Sequence, residues 1–538
     1  MKRVILVLSS ALAFGFWSEV FAESFGCPRL YSSHNPMSAI SFAKTYGGTG
    51  IDIAYSVQQT SDGGYIVAGL TYSFGAGSTD IFLIKTDANG NVIWAKTYGG
   101  TSYDWALSVQ QTFDGGYIVA GYTSSFGADS GDVFLIKTDA NGNIIWAKTF
   151  GGIDDDGAYS VQQTSDGGYI VAGYTGSFGM GYSDVFLIKT DANGNVIWAK
   201  TYGGTSYDWA LSVQQTFDGG YIVAGATYSF GAGYEDIFLI KIDANGNTIW
   251  AKTYGGTSGD VAYSIQQTSD GGYIVAGYAF SFSFSGGSPP IFLLKADANG
   301  NIIWAKIYGG MINENNWTYS VQQTSDGGYI LAGYAKSFGM GSGDIFLIKT
   351  DANGNVIWAK TYGGTSYDWA FSVQQTSDGG YIAVGYTGSF GAGWDDIILI
   401  KTDTNGNMGS CSIVQNVTPT LNTVLPTVTS LSPSVSSISP TVNSVSPTVT
   451  SPILTVSELC PLSISESCHC ASGLITPYKG GIKVIGSGEF EVKVYNVSGV
   501  MVKSIKGKNE VKLDLSRGVY FVEVISGEKV IREKVVIR

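Results

Sequence analysis

The chain has 538 residues, a formal net charge of −13, 74 glycines and only two histidines. The acidic balance disfavours nucleic acid and anionic membrane as partners. The length leaves room for one large domain, a spacer and one small domain.

Met1-Lys2-Arg3, a mostly apolar run from Val4 to Trp17, and Val20-Phe21-Ala22 have the pattern of a secretory signal peptide cut after Ala22. No other stretch approaches the roughly 18 to 20 apolar residues of a membrane span. The mature chain is expected to be soluble and exported.

Residues 41 to 409 hold seven copies of one unit, marked by Ser-Val-Gln-Gln-Thr or Ser-Ile-Gln-Gln-Thr at Ser56, Ser108, Ser160, Ser212, Ser264, Ser320 and Ser372. Five intervals are 52 residues and one is 56. A period of this length, with several strands per unit, is the mark of blades around an axis. In the second copy the strands read as Ala106–Thr112, Tyr117–Thr123, Asp132–Thr138 and Ile144–Thr149, rich in β-branched and aromatic residues. Asp114-Gly115-Gly116 and Asn141-Gly142-Asn143 supply the tight turns that make neighbours antiparallel. The expected fold is all-β: a seven-bladed β-propeller over residues 23–412, followed by a small C-terminal antiparallel β-sandwich.

The last unit lacks a fourth strand of the Ile-Trp-Ala-Lys type, and Ser41 to Gly48 supplies one at the front. Pairing of the two ends closes the ring and leaves no long exposed edge. Cys27 and Cys411 flank the closure, and an exported protein could lock it with a disulfide between them. The phrase Thr86 to Lys96 (Thr-Asp-Ala-Asn-Gly-Asn-Val-Ile-Trp-Ala-Lys) resembles the tryptophan-docking repeats of quinoprotein-like propellers. That resemblance implies blades locked by a Trp between neighbours. The cofactor and calcium ligands of those dehydrogenases are not found here, so no cofactor is expected.

From Ile413 the composition turns to Ser, Thr and Pro, with phrases such as Pro426-Thr427-Val428 and Ser439-Pro440-Thr441-Val442. Residues 413–476 read as an extended spacer carrying a cysteine cluster, Cys460, Cys468 and Cys470. Their pairing stays open, and the Cys468-His469-Cys470 spacing does not match a structural zinc site.

Residues 477–538 alternate as short strands, Ile482–Ile485, Phe490–Tyr495, Val500–Ile505, Glu510–Leu515, Val519–Val524 and Val530–Ile537. Val494 to Gly499, Leu513 to Ser516, Gly518 to Val522 and Lys534 to Val536 resemble the C-terminal sorting domain of type IX secretion cargo. The resemblance implies the secretion machinery as a partner, passage across the outer membrane, and release or attachment at the cell surface.

Catalysis is not expected. His34 and His469 both lie outside the repeats, which also hold no cysteine, so a Ser-His-Asp or Cys-His set cannot be built from them. Asp62 and its counterparts Asp114, Asp166, Asp218, Asp270, Asp326 and Asp378 recur at one turn, where a carboxylate binds its own backbone. Asp87-Ala88-Asn89-Gly90-Asn91 lacks the acid that completes a calcium loop, so no metal is expected.

Binding is the expected role. The loops between units carry Tyr103-Asp104-Trp105, Tyr207-Asp208-Trp209, Tyr367-Asp368-Trp369 and Trp317, which suit stacking on sugar rings and bonding to hydroxyls. The Trp position is Gly157 in the third copy. Extra residues around Pro289 and Glu314 suggest an asymmetric pocket there. The reading is a monomeric exported recognition or adhesion module, with glycan or a cell-surface polymer as ligand. A secreted polysaccharide-active enzyme using Asp residues and a passive structural repeat are the alternatives.

Overall fold

The structure, a computed structural model, describes residues 41–409 apart from 129, 284–288, 310–314 and 340, together with most of 411–459 and of 475–537. The signal-peptide segment, Cys27, Cys460, Cys468, Cys470 and Glu314 lie outside the described residues. Cys411 is disulfide-bonded, and its partner also lies outside them.

Each repeat folds as an antiparallel sheet whose first strand lies innermost. In the second unit the strands are Asp104–Gln111, Tyr117–Thr123, Asp132–Thr138 and Ile144–Gly151, each hydrogen-bonded to the next. The two middle strands are buried along almost their whole length because blades pack face to face. The core accordingly sits between blades: Ile66 and Leu83 of the first unit pack with Val119 and Phe134 of the second. Gly69 is needed where the inner strand bulges between Ala54 and Ser56, since a Cβ there would stand 1.8 Å from the Ile53 carbonyl oxygen.

The ends close as expected. Phe42–Gly47 pairs with Asp396–Thr402 and becomes the fourth strand of the seventh blade. Each indole reaches the neighbouring blade. Trp94 Nε1 donates to the Ala140 carbonyl at 3.3 Å, Lys96 Nζ to Asn143 Oδ1 at 2.8 Å, and the Tyr98 hydroxyl to the Gly142 carbonyl at 2.7 Å.

The segment after Ile413 departs from the expected spacer. Val414–Asn416, Thr420–Val424, Thr427–Leu431, Ser434–Ser437, Thr441–Ser444, Thr448–Thr450 and Thr455–Glu458 are strands, and each adds to the outer edge of one blade. They visit the sixth, fifth, fourth, third, second and first blades in turn and end on the closing strand, so the chain winds once around the propeller. From the second belt strand onward one register recurs: Leu421 opposite Tyr308, Val428 opposite Tyr254, Val435 opposite Tyr202, Val442 opposite Phe150, Val449 opposite Tyr98 and Val456 opposite Tyr46. These positions are seven apart in sequence, and seven extended residues reach roughly 23 Å from one outer strand to the next. A Ser/Thr/Pro-rich chain cannot build a core, but pairing at an edge asks only for free N–H and C=O groups and β-branched residues. Blades are therefore five-stranded, and the belt covers edges that would otherwise be open.

The C-terminal unit is a separate antiparallel fold. Gly481–Asn496 and Met501–Asp514 are single long strands where four short ones were expected, with an irregularity between Ile485 and Glu489. Ile475–Tyr478, Gly518–Ser526 and Lys529–Ile537 complete it, around buried Ile482, Val492, Val494, Leu513 and Val522.

Candidate functional site

Loops between the second and third strands, and those between units, share one face of the propeller; the tight turns share the other. On the loop face each unit opens on a residue that strand alternation turns inward. Asp104 is wholly buried and accepts hydrogen bonds from Thr123 Oγ1, from Ser125 Oγ at 2.6 Å and from the Gly100 N–H at 2.8 Å. Asp208 accepts from Ser229 Oγ at 2.6 Å and the Gly204 N–H at 2.9 Å. Asp368 accepts from Ser389 Oγ at 2.7 Å and the Gly364 N–H at 2.9 Å. The expectation that Asp104, Asp208 and Asp368 meet a ligand is thus corrected: they tie down the loops from inside.

A second carboxylate faces each of these. Asp80 starts a third strand, and its Oδ2 accepts the Ala76 and Gly77 N–H groups at 2.9 and 3.2 Å. A Cβ built on Gly99 would stand 2.0 Å from Asp80 Oδ1 and 2.7 Å from Asp104 Oδ2, so only glycine fits beside the pair. Gly47, Gly151, Gly203, Gly255 and Gly363 sit in the same way beside Asp396 with Asp52, Asp132 with Asp156, Asp184 with Asp208, Asp236 with Asp260, and Asp344 with Asp368. At the one remaining interface both acids are gone together, with Pro290 and Asn316 in their places. Burial first, and then the neighbouring carboxylate, pushes Asp132 up to about 6 and Asp184 up to about 7. Asp260 rises to about 6 for the same two reasons.

The aspartates of the opposite turns are structural. Asp62 Oδ1 accepts from Thr60 Oγ1 at 2.5 Å and the Gly64 N–H at 3.0 Å, as the sequence suggested. Missed was the partner: Lys85, almost fully buried, puts Nζ 2.9 Å from Asp62 Oδ2, and all seven units repeat the ion pair. Asp87 is used up within its own turn by Asn89 and Asn91.

The aromatic residues divide into two groups. Tyr103, Tyr207 and Tyr367 are 43%, 42% and 50% exposed on the loop face. The tryptophans beside them are packed. Trp369 lies between Tyr334 and Tyr386, with ring centroids at 4.2 and 6.0 Å, and Trp317 meets its edge at 5.6 Å. Tyr319 and Phe371 continue that cluster to Tyr55. Trp209 packs at 6.0 Å from both Tyr207 and Tyr228.

Over the first three units the cluster is interrupted. Gly157 replaces the Trp, and Leu107 stands where Tyr55 and Tyr159 stand in the adjoining units. A cavity of about 610 Å³ results, walled by Tyr55, Tyr103, Trp105, Leu107, Tyr122, Tyr159 and Tyr174. Trp105 is held there by donation from Nε1 to Thr79 Oγ1 at 2.9 Å, with its ring 5.5 Å from Tyr122. Burial pushes the Tyr55 phenol up to about 12, and raises Tyr159, Tyr122 and Tyr174. The walls are therefore neutral hydroxyls and ring faces. Asp155 is exposed beside this wall, where its charge helps to raise Tyr122 and Tyr174.

The structure thus brings Tyr103 and Trp105 together with residues the sequence reading passed over: Tyr55, Tyr122, Tyr159 and Tyr174. It leaves Tyr207, Trp209, Trp317, Tyr367 and Trp369 outside this cavity. The signal was present, because the residue three after each opening Asp or Asn (Tyr55, Leu107, Tyr159, Leu211, Tyr263, Tyr319, Phe371) varies within an otherwise constant phrase. The pocket expected near Pro289 and Glu314 falls largely on residues outside the described set.

Comparison with known proteins bears on the C-terminal unit first. Residues 476–538 match the family model described as a secretion system C-terminal sorting domain. The chain is thus an exported protein sorted by the type IX system, to the outer surface or beyond, and the secretion machinery is a partner. The chain is also similar to a regulatory protein, FlaEY, of Caulobacter vibrioides, at 24% identity over 34% of this chain and 23% of the relative. The match spans less than a quarter of that relative's length.

Proposed function

We propose that the propeller is a non-catalytic surface recognition module that binds glycan chains in the cavity over its first three units. The observation that carries this reading is the composition of the walls: five tyrosines and one tryptophan around about 610 Å³, with neutral phenols inside and a carboxylate nearby. Aromatic faces stack on the C–H faces of sugar rings, while phenol and carboxylate groups bond to hydroxyls. A cavity of this size suits a short stretch of polysaccharide. Hydrolysis of a glycoside needs two carboxyl groups placed across one bond. Asp155 supplies one, and the nearby Asp156 is wholly buried and bound to Ser177 Oγ at 2.7 Å and to the Gly152 N–H at 2.8 Å.

A glycan array probed with the purified full chain, followed by product analysis of every hit, tests the proposal. Binding without shortened products is the expected result. Cleavage would place the protein among polysaccharide-active enzymes, and silence on the array would favour a structural repeat.

A further inference from the structure

The inner strands carry a second constellation toward the turn face. Val57, Gln58 and their counterparts in the other six units surround a cavity of about 250 Å³ on the propeller axis. The first glutamine of every Gln-Gln pair uses its side-chain oxygen across the blade interface. Gln58 Oε1 accepts the Gln111 backbone N–H at 2.5 Å, Gln374 Oε1 accepts that of Gln59 at 2.7 Å, and all seven junctions repeat the bond.

This bond settles the orientation of each amide, because a backbone N–H can be met only by the oxygen. The Nε2 groups are left as donors, and none of the seven meets an acceptor among the described residues. The second glutamines are spent differently: Gln111 Oε1 accepts the Ser61 N–H at 2.8 Å and its Nε2 reaches the Gly115 carbonyl at 3.4 Å. The axial cavity is thus ringed by up to fourteen N–H donors against a wall of Val and Ile, and no carboxylate lines it. The turn carboxylates of the same face, Asp62 and its counterparts, are each neutralised by a buried lysine.

A ring of side-chain N–H donors with no carboxylate beside it favours a guest rich in lone pairs. An oxyanion offers only acceptors, and converging amide dipoles stabilise its charge where few other groups compete. We infer that the seven-glutamine ring is a binding site for one small oxyanion, of the carboxylate, sulfate or phosphate class, on the propeller axis. This site is independent of the tyrosine-lined cavity. Its guest is a free ion or an acidic substituent of a larger molecule.

Equilibrium dialysis of the full chain against labelled sulfate tests the inference, with inorganic phosphate and acetate as competitors. The arms distinguish tetrahedral from planar guests. The expected result is saturable binding of one ion per chain, displaced by at least one competitor. Gln214→Glu keeps an oxygen for the Gln267 N–H and replaces the donor by a negative charge, so affinity should fall by at least about tenfold. Gln58→Glu makes the same change in another blade and serves if the first variant fails to fold. Absence of saturable binding to the wild-type chain would overturn the inference, as would affinity unchanged in a folded variant.

Discussion

Asp208→Asn should make the protein less sensitive to rising pH, because it removes the carboxylate that faces Asp184 in a buried acid pair. Asp184, its partner, is pushed from 3.8 up to about 7 by burial and by the Asp208 carboxylate. A carboxyl displaced that far favours its protonated form in the folded state by roughly 4 kcal/mol. The sign follows from linkage. The contribution is fully present below pH 4, where both states are protonated, and is lost as pH rises toward 7. For a propeller of roughly 370 residues, with an unfolding entropy of about 0.8 kcal/mol/K, the loss amounts to about 5 °C for this pair alone. Asp132 and Asp260 add to it in the same direction. In Asp208→Asn, burial of Asp184 persists but the like charge is gone. Two carboxylates on the order of 4 Å apart repel by about 4 kcal/mol at an effective dielectric near 20, an upper bound once a proton is shared. Burial is the larger cause, so the variant should keep at most about 2 °C of what the wild type loses between pH 4 and pH 8. Asn is already accommodated at this position, since Asn316 accepts Ser337 Oγ at 2.7 Å much as Asp208 accepts Ser229 Oγ. Thermal unfolding followed by circular dichroism at five pH values across that window is the assay. Parallel curves for wild type and variant would refute the reasoning, as would wild-type stability that rises with pH.

Other consequences are equally direct. Below pH 4 the opposite trend should take over, because Asp62, Asp270 and Asp326 are held down at about 2 by their hydrogen bonds and lysine partners; their stabilising contribution is lost as pH falls through that value, visible as an acid limb in the same unfolding series. A chain ending at residue 412 should unfold at a lower temperature than one ending at residue 459, and amides of the outer strands that face the belt, such as Ala251 and Thr253, should exchange faster without the belt strand Thr427–Leu431. Lys241→Met should cost about 1 to 3 kcal/mol by removing the buried partner of Asp218, measured by denaturant unfolding. Removal of residues 476–538 should block delivery to the outer surface, and cell fractionation would show the chain retained inside.

Much of the fold could be read from the repeat alone. Four strands per unit, antiparallel turns at Asp-Gly-Gly and Asn-Gly-Asn, and the displaced strand Phe42–Gly47 all follow from local phrases that recur in register. The belt is hidden because composition and period point in different directions. Pro-Thr-Val phrases suggest a solvated spacer, yet their seven-residue spacing matches the step from one outer strand to the next. The roles of the aspartates divided for a similar reason. Asp62 caps its turn as sequence suggests, but Lys85 lies 23 residues later and reaches it only through the hairpin of the middle strands. Asp104 looked like a ligand group because it stands between two aromatics, whereas alternation sends it inward and leaves Tyr103 and Trp105 outside. The tyrosine-lined cavity depends on what two positions lack, Gly157 and Leu107, and substitutions that remove side chains are hard to weigh before their neighbours are known.

The most direct test of the recognition reading is a glycan-binding titration of the wild-type chain beside Gly157→Trp. Four other units carry Trp at this position (Trp105, Trp209, Trp317 and Trp369), so the fold accommodates the residue and the cavity should fill. A Cβ at Gly157 would stand 2.6 Å from Tyr174 Cε1, the far end of a side chain at the cavity wall, which has open space to move into. The account predicts wild-type binding that Gly157→Trp weakens by at least about tenfold, or about 1.4 kcal/mol, with the thermal midpoint unchanged. Glycan binding of equal strength in both proteins would contradict it.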